Sequence, residues 1–308
     1  METASTEYGD LYIPPWDNFI GASLKEYGYY CNVEQKFHHQ MCGLLNKTIE
    51  EPGIILDIGA HIGSMSVTMG HGSSATTPWR HSILAVEPQP NNYAVLCANL
   101  ARNNMLFNPV IPVHGAIIPA MEVSHATPLA TIPYLDATKP FNSGAVPLSQ
   151  WEDMTDEVGV AYTYAYKYTL SDLISSLDMS DRDVLYMKAD IEGTEASIIE
   201  DLVTRNGRTG LDPVMFVECN TPESLDAIKP IVDDLAEDYK VHWMAEPYYM
   251  SSFDKKNIWN REIWSINLMC FPEWFINKYN FETDAPRFED ASDMEEVVAL
   301  TKKVVRNV

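Results

Sequence analysis

Four acids stand at the ends of short apolar runs, where side chains can do chemistry. Ile54-Ile55-Leu56 ends at Asp57 and leads into Ile58-Gly59-Ala60-His61-Ile62-Gly63. Ser82–Val86 ends at Glu87-Pro88, with Glu87 28 positions after Gly59 (87 − 59). Val184–Met187 continues through Lys188 to Asp190 and Glu192, and Val214–Val217 ends at Glu218. A glycine turn directly after a strand lets backbone approach a ligand and permits positive φ. A carboxylate at the end of the next strand can accept both hydroxyls of a ribose. Lys188 and Asp190 alternate onto one strand face and can pair, which lowers the pKa of the acid.

The glycine spacing, D-x-G-x-x-x-G, is neither the G-x-G-x-x-G of nicotinamide sites nor a P-loop. A leading acid in the turn suits a ligand with a positive amine and no pyrophosphate, a description that S-adenosylmethionine meets. Asp190 is the first candidate for a base acting on an acceptor hydroxyl, with Lys188 and Glu192 beside it. Asp190, Glu192 and Glu218 could also offer oxygen to a divalent ion. Acid-rich loops are common without metal, so no metal is assigned. His114 reads as a satisfied structural histidine. His38-His39 fits no ligand spacing, which argues against zinc.

The elements that must hold these residues follow from periodicity. Short apolar runs at Ile54, Ser82, Val110, Val184 and Val214 alternate with helical stripes, and late strands are expected over Lys240–Ala245 and Ser265–Phe271. Strands alternating with amphipathic helices mean parallel βαβ units, whose ligands bind at the carboxyl ends of the strands. Thr221-Pro222 opens a helix as cap plus first-turn proline. Tyr162, Tyr164, Tyr166 and Tyr168 share one strand face, as cross-strand packing or as an aromatic platform for an acceptor. Trp243, Tyr248, Tyr249, Trp259 and Trp264 cluster late and read mostly as core. Three parts are expected: an N-terminal arm and helical extension (1–50), a ligand-binding domain (51–275) with a proline-marked insertion (120–168), and an acidic segment (276–308) closed by a helix capped at Ser292.

Four segments together resemble the FkbM-type methyltransferases: Asp57–Gly63, Glu87–Asn99, Tyr168–Asp172 and Met187–Glu195, with Phe141-Asn-Ser-Gly144 as a smaller fifth. The resemblance covers about residues 53–272. It implies an α/β class I methyltransferase fold, Rossmann-like. Its sheet would be mostly parallel and seven-stranded, with the last strand antiparallel. It also implies methyl transfer from S-adenosylmethionine to a hydroxyl of a sugar or small natural product. Carried over by position, Asp57, Gly59, His61 and Gly63 line the methionine end, Glu87 holds the ribose, and Ala116 in His114-Gly115-Ala116 lies near the adenine. Asp190 and Glu192 then face the acceptor. His61 stands where the family usually has Asn, and Ser171 where its T-L-D element has Asp. Two rivals remain at this point: a Rossmann oxidoreductase using NAD, and a non-catalytic adaptor that keeps the fold.

Composition narrows the partners. Lys and Arg number 21 against 44 Asp and Glu (21 − 44 = −23), the wrong sign for phosphate backbones or anionic lipid. A small-molecule acceptor is expected, with no nucleic acid and no membrane. The start of the chain shows no basic-then-apolar leader. Five scattered cysteines, with no C-x-x-C pair, suit a reducing, cytoplasmic compartment.

Overall fold

The computed structural model describes residues 1–72, 78–119, 128–133, 162–191, 195–206, 211–235, 238–247, 264–291, 293 and 295–299. Its centre is a nine-stranded sheet in the order β10-β11-β9-β8-β3-β4-β5-β7-β6. The strands are β3 (Ile54–Ile58), β4 (Ser82–Glu87), β5 (Val110–Ile117), β6 (Leu129–Pro133), β7 (Tyr162–Tyr168), β8 (Val184–Ala189), β9 (Val214–Glu218), β10 (Tyr239–Pro247) and β11 (Trp264–Pro272). The strand from β9 through β8, β3, β4 and β5 to β7 pairs in parallel at every step. The last strand, β11, is antiparallel to both β9 and β10. The seven strands expected from sequence are therefore present, from β5 at one end to β10 at the other. Two more, β6 and β7, extend the edge beyond β5; they come from the span read as an insertion, most of which lies outside the described residues.

Helices cover both faces because the strands are apolar on both. On one face Leu56, Ile58, Leu84 and Val86 pack with α5 (Leu170–Ser176), α6 (Glu195–Asn206) and α7 (Pro222–Leu235). On the other, Ile55, Ile83, Ala85 and Tyr186 pack with α2 (Asn32–Thr48), α3 (Ser64–Gly70), α4 (Pro90–Arg102) and α8 (Glu273–Tyr279). Thr169 caps α5, accepting from the Asp172 N–H at 2.9 Å, and Thr221 caps α7, accepting from the Ser224 N–H at 3.1 Å.

The N-terminal arm is a two-stranded hairpin, β1 (Glu2–Thr6) with β2 (Gly9–Ile13), followed by α1 (Ile20–Tyr27) and α2. Its outer edge is not left open. The Asn99 side chain on α4 accepts from the Tyr12 N–H at 2.6 Å and donates to the Tyr12 carbonyl at 3.2 Å, as a neighbouring strand would. The same amide nitrogen donates to the Ile62 carbonyl at 2.8 Å. The hairpin and the glycine turn are thus held by one buried carboxamide.

At the far end, the Asp293 carboxylate accepts from the Glu296 N–H at 2.9 Å; Ser292 lies outside the described residues. So do Glu192, the Phe141–Gly144 segment, Tyr248, Tyr249 and Trp259. Trp243 and Trp264 are buried core, as expected. The tyrosine face of β7 is divided: Tyr164 and Tyr166 are 58% and 53% exposed, Tyr168 packs against the core, and Ala165 on the other face is buried. Tyr166 stands opposite Leu129 and Tyr164 opposite Thr131 in the pairing with β6.

Candidate functional site

Chain order reverses between β3 and β8, where the sequence jumps from the third strand to the eighth. This is the crevice at which open α/β sheets bind ligands. Asp57 and Lys188 are direct register partners across that junction. Both side chains are buried, and the Lys188 ammonium lies 3.6 Å from Asp57 Oδ1 and 3.0 Å from Asp190 Oδ2. It also donates to the Gly59 carbonyl at 3.2 Å. Asp57 Oδ2 accepts from the Ser66 hydroxyl of α3, whereas Oδ1 is buried without a hydrogen-bond donor. Burial alone would lower the Lys188 pKa. The carboxyls of Asp190, Asp57 and Glu34 outweigh it and push the pKa above the ordinary lysine value. Burial alone would likewise raise Asp190. The Lys188 charge and hydrogen bonds from Glu218 and Lys188 hold it below the usual carboxylate range. The expected pair therefore exists, and it keeps Asp190 ionised.

The glycine turn is needed for packing. Gly59 has φ +80°, and a Cβ there would collide with the Asp190 carbonyl oxygen, because the chain leaving β8 runs beside the chain leaving β3. Gly63 has φ +85°, and a Cβ would sit 2.6 Å from Leu96 Cδ1 of α4. Between them His61 has φ 49°. Asn and His are among the residues that tolerate this left-handed region, which accounts for His where the family usually has Asn.

Glu87 closes the same turn. Its Oε2 accepts from the His61 N–H at 2.9 Å and its Oε1 from the Gln89 N–H at 2.8 Å. Burial pushes this carboxyl up to about 7, against the pull of the Gln89 and His61 hydrogen bonds. Glu87 is thus structural, bracing the turn through two backbone N–H groups. Removing this carboxyl would leave both N–H groups without their acceptor. A carboxylate offers about four acceptor positions, so room remains for ligand hydroxyls.

A cavity opens over this junction. Gly59, Ala60, His61, Ser64 and Met65 of the turn and α3 line it, with Lys188, Asp190, Glu218 and Ser265 at the sheet ends. The N-terminal extension supplies its remaining wall, Ile20, Tyr30 and Glu34. The His61 ring, whose pKa burial lowers, has its Nε2 4.0 Å from Asp17 Oδ2 in the same extension.

Sequence reasoning missed Glu34 and the buried groups behind it. Glu34 Oε1 lies 3.2 Å from His38 Nε2, and His38 Nδ1 meets the Tyr186 hydroxyl. Glu246 of β10 accepts from the Glu34 N–H at 2.8 Å and the Val33 N–H at 3.2 Å, capping α2 from 212 and 213 residues away. The available signal was the i, i+4 pair Glu34/His38, aligned with the apolar stripe of Met41, Cys42 and Leu45.

Ala116 lies apart from this cavity. Its side chain packs with Ile118, Ala130, Ile132 and Ala165, two positions beyond the register pair Glu87–His114. His114 is the satisfied histidine expected, 2.9 Å from the Pro88 carbonyl and stacked on Tyr93.

Comparison with solved structures finds methyltransferases at low identity. A precorrin-6y C5,15-methyltransferase from Geobacter metallireducens is 13% identical, with a TM-score of 0.37 over 75% of this chain and 86% of that one. An O-methyltransferase from Bacillus cereus in complex with SAH is 12% identical, with a TM-score of 0.39 over 78% and 81%. The O-methyltransferase TomG from Streptomyces achromogenes, involved in tomaymycin synthesis and bound to SAM, is 12% identical, with a TM-score of 0.39 over 82% and 86%. Comparison with curated proteins gives no match. The methyltransferase FkbM domain matches residues 57–240, more than half of the chain and the whole span from Asp57 through Glu87 and the Lys188–Asp190 pair. The chain therefore belongs to the FkbM-domain family and is an S-adenosylmethionine-dependent methyltransferase.

Proposed function

We propose that this methyltransferase acts on a hydroxyl oxygen of a neutral small molecule, a sugar or a natural product, in the cytoplasm. The observation that carries the reading is the acid lining of the cavity. Glu34, Asp190 and Glu218 line it, with Asp57 behind and Lys188 the one ammonium among its described lining residues. Such a wall offers acid oxygens to hydroxyls, and Asp190, held ionised, disfavours an anionic acceptor. It also opposes the pyrophosphate of a dinucleotide.

The residues present fit the cofactor. Asp57 Oδ1 is a buried acceptor without a donor, and the surplus of carboxyls suits a cationic ligand. The turn from Gly59 to Gly63 would hold the methionine end, Glu87 the ribose, and the backbone at Ala116 the adenine edge. S-adenosylmethionine, when bound, supplies a methyl group on a positively charged sulfur. The protein must mainly align the acceptor with it, since positioning is the larger part of such catalysis. Asp190, kept ionised by Lys188, orients the acceptor by accepting its hydroxyl proton in a hydrogen bond. Glu192, two positions after Asp190 in the K-x-D-x-E segment, is a second acceptor-side residue by the family resemblance alone. The exposed Tyr164 and Tyr166 offer ring faces on which a sugar could stack. Five free cysteines suit the reducing compartment.

Thermal unfolding in separate wells with S-adenosylmethionine, S-adenosylhomocysteine and NADH tests the cofactor. A ligand at 100 times its Kd stabilises by about 2.7 kcal/mol. Stabilisation by the two sulfur nucleosides alone is expected; stabilisation by NADH alone would reject the reading. Methyl-labelled cofactor with panels of sugars and hydroxylated natural products then tests the acceptor. Label in a base-stable ether is expected, and label found only in base-labile esters would assign carboxyl methylation instead.

A further inference from the structure

Glu34 belongs to α2, upstream of the family match, which begins at residue 57. Yet its carboxyl is part of the cavity wall shared with Gly59, His61, Lys188 and Asp190. The charged and titratable groups around it come from every neighbouring element. His38 and Cys31 face it from its own segment, Lys188 and Asp190 from β8 and its end, and Asp57 from β3. Glu246 of β10 holds its N–H, and Glu218 and His61 share the cavity. Lys188 is the cation among them, and its ammonium is shared between Asp57 and Asp190. A buried acid on a cavity wall, with the nearby lysine engaged by two other carboxylates, is matched to a cation brought by a ligand.

We propose that Glu34 is the carboxylate that receives a positive charge of the cofactor, so that the N-terminal extension forms part of the cofactor site. The inference rests on reading the cavity as the S-adenosylmethionine site. That cofactor carries two positive groups, the sulfonium and the amino-acid ammonium; S-adenosylhomocysteine keeps only the second. Burial pushes Glu34 up to about 8, so without ligand at pH 7 it holds its proton. A cation arriving beside it favours the carboxylate. The proton must then leave for solvent, because burial holds the neighbouring His38 down at about 3. Glu246, at about 8, and Glu87, at about 7, are also protonated to some extent at this pH, so the proton must be assigned with a variant.

Calorimetric titration of the full chain with each nucleoside at pH 7, in phosphate and in Tris, counts the protons released. Glu34→Gln is expected to bind S-adenosylmethionine about 10- to 100-fold more weakly, the range for a charged hydrogen bond, and to release fewer protons than wild type. Weakening for both nucleosides places Glu34 at the ammonium; weakening for S-adenosylmethionine alone places it at the sulfonium. Either outcome supports the inference. Unchanged affinity and proton count in Glu34→Gln overturn it while leaving the cofactor reading intact. Wild type that binds neither nucleoside overturns both. If Glu34→Gln unfolds, wild type alone decides. Its affinity for S-adenosylmethionine must rise from pH 6.5 to 8.5, and a flat profile rejects the proposal.

Discussion

At the scale of single residues, the site is built from side chains with two duties. Glu87 is proposed for a ribose and ties down the His61 and Gln89 N–H groups. A buried donor left without an acceptor costs about 1–3 kcal/mol. Glu87→Ala should therefore lose about 2–4 kcal/mol in a urea titration as well as cofactor affinity, and stability equal to wild type would refute the bracing role. Asp190 is the opposite case, since Lys188 holds it ionised and at the cavity rather than inside the core. Asp190→Asn should lower turnover by about 10-fold or more while changing the Kd for S-adenosylmethionine far less. Equal turnover would remove it from the mechanism. Asp57, Glu87 and Lys188–Asp190 were legible in the sequence because each ends a short apolar run. Glu34 was not, because one acid in the first turn of a helix has the same pattern whether it faces solvent or a cavity.

At the scale of elements, the turn after β3 is shaped by its neighbours. Gly59 makes room for the Asp190 carbonyl and Gly63 for Leu96. Gly59→Ala combines a left-handed backbone with a backbone collision and should cost about 3 kcal/mol or more. Chemical denaturation of that variant measures it, and a loss below ~1 kcal/mol would show that the close approach of the Gly59 turn to Asp190 can relax. Strand and helix positions in 54–272 were legible because apolar runs of strand length alternate with helical stripes. The hairpin β1–β2 was not. Its edge is completed by Asn99, 87 residues away from Tyr12, and no local pattern encodes such a partner. The tyrosines of β7 show the limit of periodicity. Their shared face was evident from spacing, but its exposure depends on what packs against the edge of the sheet.

At the scale of the whole molecule, buried acids set the response to pH. Glu34 and Glu246 are pushed up to about 8 and Glu87 to about 7, in each case chiefly by burial. An unfolded glutamate titrates near ~4.3, so across the window from there to about 8 the folded chain holds protons that the unfolded chain has released. Stability must fall as pH rises through that window. His38, which burial lowers to about 3, and His61, lowered likewise, act in the other sense. The unfolded chain takes up their protons below about 6.5, so their contribution is lost as pH falls. The midpoint of thermal unfolding should therefore be lower at pH 8.5 than at pH 6.5; an increase would contradict the burial of these acids. The same long-range cap has a consequence for synthesis. Glu246 holds the start of α2, but its strand β10 joins the sheet only through β11, which ends at Pro272. A growing chain that has already emerged past Gly59, Glu87 and Lys188 thus still lacks the anchor of its cavity wall. If that wall belongs to the cofactor site, as proposed, ligand binding during translation has to wait for β11.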